Sequence, residues 1–136
     1  MRRADWIIVG LVAYWAVAVS LRLPAWRDDR ALWAATVETV PQSARAWVNH
    51  CGEAVKSGEW ESAWTRCQTA IGLTFSPDHP AVHQAIMRAK AEALQALILH
   101  ATGQRESARH ILRRLAQDWP QLEGLSAYQA VVEREP

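Results

Sequence analysis

Residues 6–21, WIIVGLVAYWAVAVSL, run for sixteen consecutive positions without a charge, and the chain that follows has a different period and a different composition. A helix rises about 1.5 Å per residue and a bilayer's hydrocarbon core is about 30 Å thick, so a run of this length covers most of that core. Arg3, Asp5 and Arg22 flank it and can reach toward the two surfaces. Trp6 and Trp26 stand where interfacial aromatic anchors belong, and Pro24 can stop the helix just past Arg22. The pattern predicts a single transmembrane anchor over residues 1–25, with Gly10, Ala13, Ala16 and Ala18 offering small surfaces for close packing against other spans. A cleaved secretory signal is the competing reading, with Met-Arg-Arg as its basic start and Ala16-Val17-Ala18 or Ala18-Val19-Ser20 as its cleavage site. Asp5 and Trp6 at the opening of the run, and bulky Tyr14 and Trp15 in its middle, favour a retained anchor.

Residues 26–136 read as helix throughout. Ala, Leu, Glu, Gln and Arg dominate, β-branched runs are absent, and Gly and Pro fall at intervals that cut the sequence into helical lengths. The predicted helices run over 28–40, 43–56, 60–73, 80–102, 106–118 and 122–133. Ser43 and Asp78 are expected as N-caps, and Gly58 and Gly103 as hairpin turns. The connections are a few residues long, so consecutive helices must lie antiparallel. The fold class expected is all-α.

Charge and reactive residues narrow the function classes. The net charge is +1, with Arg interleaved among Glu and Asp, so no polybasic or acidic tract points to nucleic acid. Eight tryptophans favour membrane interfaces, helix-packing seams and protein contacts. Of the histidines, only His79 and His83 have the i, i+4 spacing, and Pro-Ala-Val between them supplies no glutamate for a zinc-protease arrangement. No phosphate loop and no nucleophile elbow is present, and the Asp28-Asp29 pair sits at a helix start, where carboxylates meet the positive end of the dipole. The expectation is a protein that is not an enzyme and uses no cofactor, metal or small-molecule substrate.

Internal spacing supplies the rest. Trp33 and Cys67 stand 34 residues apart, as do Pro41 and Phe75. Trp47-x2-His50-Cys51-x2-Ala54 followed by Gly58-x-Trp60-x2-Ala63-x3-Cys67-x2-Ala70 overlays a pattern of Trp, Leu-Gly, Tyr, then Gly, aromatic, Ala, Phe and Ala. In this the chain resembles the tetratricopeptide repeat (TPR) family, whose unit is one 34-residue helical hairpin. A second copy over roughly 89–120 carries Gly103, Ala108, Leu112, Leu115 and Pro120 at matching offsets, and 28–41 supplies half of a preceding unit. The second copy arrives eleven residues late, which places the extra length in the 74–79 connection and an elongated helix after Pro80. The resemblance thus implies about two and a half repeats and a capping helix over residues 26–136. His50 and Cys51 replace the Leu-Gly pair, Ala54 the Tyr, Cys67 the Phe, and Glu92 the Trp of the second copy.

A narrower resemblance covers Trp26 to Trp47. It is similar to the junction of last span and TPR tail in multi-span, lipid-linked-sugar glycosyltransferases of the O-mannosyltransferase type. Those enzymes act through segments upstream of this junction, so the resemblance implies shared descent of an anchor-plus-TPR module without the activity.

In a hairpin turning at Gly58, Cys51 and Cys67 are cross-helix neighbours. They are read either as a disulfide, in an oxidising compartment, or as two small apolar packing residues. Arg2 and Arg3 favour a cytoplasmic N-terminus, while Arg22, Arg27 and Arg30 flank the far end and nearly balance them. The resemblance tips the balance, because TPR tails of this type, like many anchored bacterial TPR proteins, lie on the extracytoplasmic side. It also implies a concave, partner-binding face, here Arg45, Val48, Asn49, Gly52, Val55 and Lys56 continued by Lys90, Ala93, Leu94 and Leu97. Such a face fits a helix or extended segment of a partner. The reading is a single-pass inner-membrane adaptor, an accessory or assembly subunit of a larger integral-membrane complex, in contact with lipid. The rival readings are a detached or split portion of a membrane glycosyltransferase, and a self-associating structural protein.

Overall fold

The computed structural model describes residues 3–75 and 80–134; the side chains of residues 3–6, 22 and 25 lie outside that description. The described chain is all-α, with seven helices packed as consecutive pairs: α1 Arg3–Arg22, α2 Asp29–Thr39, α3 Ala44–Lys56, α4 Trp60–Leu73, α5 Ala81–Ala101, α6 Arg105–Asp118 and α7 Leu125–Arg134. A 3-10 turn over Leu23–Trp26 carries Pro24 and joins α1 to the rest. Among the described residues no helix is long and apolar enough to cross a membrane.

Caps and turns explain the helix boundaries. The Asp28 carboxylate accepts the Ala31 N–H at 2.8 Å, and the Ser43 hydroxyl accepts the Ala46 N–H at 3.3 Å. That bond holds the Asp28 carboxyl below its usual range. Asp78, expected as the next cap, lies outside the described residues, and Pro80 occupies the N-cap position of α5.

The turns after α3 and α5 are built alike. Gly58 and Gly103 sit at φ of +71° and +88°, conformations that a Cβ disfavours. Around the first, the Glu59 N–H reaches the Ala54 carbonyl and the Gly58 N–H that of Val55. Around the second, Gln104 reaches Leu99 and Gly103 reaches His100. Each is a Schellman closure that satisfies the last carbonyls of one helix while its final residue starts the next helix. The two hairpins, α3–α4 and α5–α6, share this device.

The last helix starts later than the apolar pattern indicated, at Leu125 and not Leu122. Gly124 at φ +82° breaks the chain there, and the Leu122 and Leu125 amides close successive turns onto Trp119 and Leu122.

Two cores meet on α5. Met87, Ala91, Leu94 and Ile98, at i+4, i+3, i+4 spacing, pack against Val48, Cys51, Ala54, Ala63, Cys67 and Ala70 of α3 and α4. Ala89, Ala93 and Ala96 turn the other way, toward Ala108, Leu112 and Leu115 of α6 and Leu122, Leu125 and Val132 around α7. A helix buried on two faces must be apolar over most of its circumference, and α5 is. Alanine dominates each seam, letting backbones approach closely. A disulfide joins Cys51 to Cys67, with Cα atoms 5.3 Å apart.

Leucine at Ala91, which is fully buried, overpacks the seam and lowers stability by about 1–3 kcal/mol in thermal melts. At Gly103 a Cβ would meet nothing within 4 Å, so Gly103→Ala costs only backbone strain, about 1–2 kcal/mol. An unchanged melting temperature for either variant contradicts the packing or the turn assigned here.

Candidate functional site

Side chains of α3 and α5 and the turn leading into α7 enclose a cleft of about 410 Å³. From α3 come Val48, Asn49, Gly52, Val55 and Lys56, which recur at one-turn spacing and so share a face. From α5 come Lys90, Ala93, Leu94 and Leu97. Nine of the ten residues expected on a concave face therefore gather in one place. The tenth, Arg45, is exposed in the first turn of α3 and does not line the cleft, because α5 and α7 oppose a later part of the helix. Ala93 is fully buried and contributes wall, not reachable surface.

The third wall was missed in the sequence. Leu122, Glu123, Gly124 and Tyr128 close one side of the cleft, and Glu53 adds to the rim. The left-handed Gly124 places the Tyr128 ring over its own Cα, where a Cβ would stand 3.4 Å from the ring. Tyr128 packs against both cores. A glycine four residues before a tyrosine was the available clue, but it does not say which helices the ring reaches.

Apolar and charged groups divide the cleft. Val48, Val55, Leu94, Leu97 and Leu122 supply apolar surface, and Gly52 leaves the floor open, where an added Cβ would make ordinary contact with Leu94 Cδ1 at 3.8 Å. Lys56 donates to Glu53 at 2.6 Å, which raises the lysine pKa above its ordinary value, and Lys90 pairs with Glu123 at 3.3 Å. The rim thus presents paired charge around an apolar floor.

No family model, curated protein or solved structure matches this chain.

The remaining predicted sites fall elsewhere. Gly10, Ala13, Ala16 and Ala18 lie on α1, whose described large apolar side chains are exposed, from Val9 at 48% to Leu21 at 77%. Ala18 and Trp26 share a shallow apolar hollow with Tyr14, Trp15, Val19 and Leu23. The Trp6 side chain and His79 lie outside the described residues, and His83 is exposed at the start of α5. Among the described residues no group of three or more His, Cys, Asp or Glu could hold a metal ion.

Behind the cleft, one charge cluster ties α2 to the first hairpin. Arg30 of α2 pairs with Glu59 and donates to the Ser57 hydroxyl at 3.1 Å, while Arg66 of α4 stands 3.9 Å from the other oxygen of Glu59. The Trp47 indole N–H donates to the Pro41 carbonyl at 2.8 Å and meets the His50 ring edge-on at 6.0 Å between centroids. His50 Nδ1 is buried without a hydrogen-bond partner among the described residues. Desolvation, then repulsion by Arg66 and Arg30, lowers its pKa from the ordinary 6.5, with Glu59 opposing.

The linkage has a definite sign. A histidine held neutral in the folded state contributes stability above pH 6.5 and loses it as pH falls through the depressed folded value. The melting-temperature difference between wild type and His50→Gln should therefore be flat above pH 7 and move against wild type below about 6.5. A difference independent of pH would refute the assignment.

Proposed function

We infer that this chain is a non-catalytic, membrane-anchored adaptor of tetratricopeptide type, an accessory or assembly subunit that docks onto a larger integral-membrane complex. The observation that carries this reading is α1. Its described large apolar side chains are exposed, it packs on none of α2–α7 among the described residues, and only the 3-10 turn contacts it. An apolar helix without a protein partner calls for lipid or a partner's spans to cover it. In this reading the sixteen uncharged residues 6–21, about 24 Å at 1.5 Å per residue, cover most of the hydrocarbon core and the charged residues at the two ends of α1 reach its surfaces.

Other features support the remaining parts. The matched turns at Gly58 and Gly103 favour a repeated hairpin unit, and the apolar cleft with its paired rim suits a helix or extended segment of a partner. The Cys51–Cys67 bond favours an oxidising compartment, hence a cytoplasmic N-terminus and an extracytoplasmic helical domain. Tethering by α1 raises the effective concentration of the cleft next to a membrane partner.

Native membranes provide the test. The protein stays in the pellet through alkaline carbonate, and mild-detergent pull-down with mass spectrometry returns a defined set of integral-membrane proteins. Release by carbonate defeats the anchor, and migration as a lone monomer defeats the adaptor. Gly52→Leu fills the cleft floor on a helix that tolerates leucine, and is expected to cut recovery of the partner about tenfold while leaving the melting temperature within a few degrees.

A further inference from the structure

The fully buried side chains where α3 meets α4 are Cys51, Ala63, Cys67 and Ala70, with Ala54 1% exposed. Alanine buries a single methyl, so the centre of this seam gains little from apolar contact. Of the larger buried groups of the same core, Val48 belongs to α3 and Met87, Leu94 and Ile98 to α5, which packs on the surface that the hairpin offers, with Trp47, Trp60, Ile71 and Leu73 half-buried around it. Both cysteines lie near mid-helix, and the cleft residues Val48, Asn49, Gly52 and Val55 surround Cys51 on α3.

We propose that the Cys51–Cys67 bond is the maturation switch of the cleft: oxidation locks α3 to α4 and so lets α5 dock, and the closed bond is then beyond the reach of thiol reductants. The switch is thermodynamic because the cross-link restricts the unfolded hairpin, and kinetic because both cysteines are 0% exposed. Exchange requires a thiolate to approach a sulfur atom, and α3 must first part from α4 to admit one.

The chemistry balances with a disulfide-bearing oxidant, such as a protein dithiol oxidase. One cysteine thiolate attacks a sulfur of the oxidant, whose S–S bond breaks and releases a thiolate. The second cysteine then attacks the mixed disulfide, forming Cys51–Cys67 and freeing the oxidant's other sulfur. Two electrons and two protons pass from the chain to the oxidant, which leaves as a dithiol.

This inference rests on the adaptor reading only in taking the cleft as the partner site, so its test uses readouts that need no partner. Full-length protein in mild detergent is treated with dithiothreitol and its free thiols are counted by gel shift with a maleimide polymer. Reduction is expected to be at least about 100-fold slower in buffer than in urea, since it waits on opening of the hairpin. Equal rates would overturn the kinetic half. Chain reduced in urea and returned to buffer, and the space-filling variant Cys51→Ala/Cys67→Val, should each melt at least about 10 °C below the oxidised protein. Both should be cut by protease near Ser57–Glu59. Unchanged melting and resistance would overturn the switch. If oxidised protein meets these expectations but recovers no membrane partner, the adaptor reading fails and the switch stands; partner recovery by a reduced, opened chain defeats the switch alone.

Discussion

Close approach of α3 to α4 is the constraint on which the rest of the helical domain depends. Alanines at 54, 63 and 70 allow it, Gly58 turns the chain back at the required distance, and the Cys51–Cys67 bond holds it. The surface of this hairpin receives the Met87–Ile98 face of α5. α5 in turn carries the second core on its opposite side, so α6 and α7 depend at one remove on the first hairpin. A stack of this kind distributes stability between neighbours, and a small-residue seam makes its first joint the sensitive one.

The same joint is linked toward α1. Glu59, the residue that closes the first hairpin turn, receives Arg30 from α2 and faces Arg66 from α4, and Trp47 closes the α2–α3 corner onto Pro41. The Arg30–Glu59–Arg66 contacts thus fasten the first turn of α2, and the Trp47–Pro41 contact fastens the corner at its other end. His50, its Nδ1 buried without a hydrogen-bond partner among the described residues, feels the charges of Arg66, Arg30 and Glu59. Its neutral form is favoured in the folded state because burial strips water from the ring and the charges of Arg66 and Arg30 repel a proton there, with Glu59 opposing them.

For the proposed adaptor, this arrangement separates two kinds of surface. α1 is apolar on all sides and has no favoured face, which suits an environment that is uniform around it. The cleft is apolar only at its floor and closes its rim charges on each other, which suits a partner that brings matching shape and few charges.

Local rules in the sequence determined the helices, their caps at Asp28 and Ser43 and the turns at Gly58 and Gly103, because apolar period, capping oxygens and left-handed glycine act over a few residues. Nine of the cleft residues belong to the concave face that the tetratricopeptide resemblance implies; helical spacing alone puts those of each helix on one side. Tertiary structure decided what depends on distance between helices: that Arg45 falls outside the cleft, that Ala93 is wall and not surface, and that Tyr128 and Leu122 close the third side. It also decided that two cysteines on neighbouring helices point toward each other closely enough to bond. Helical periodicity gives the direction of a side chain around its own axis, but the separation and crossing of two axes come from packing the whole stack, which no single segment encodes.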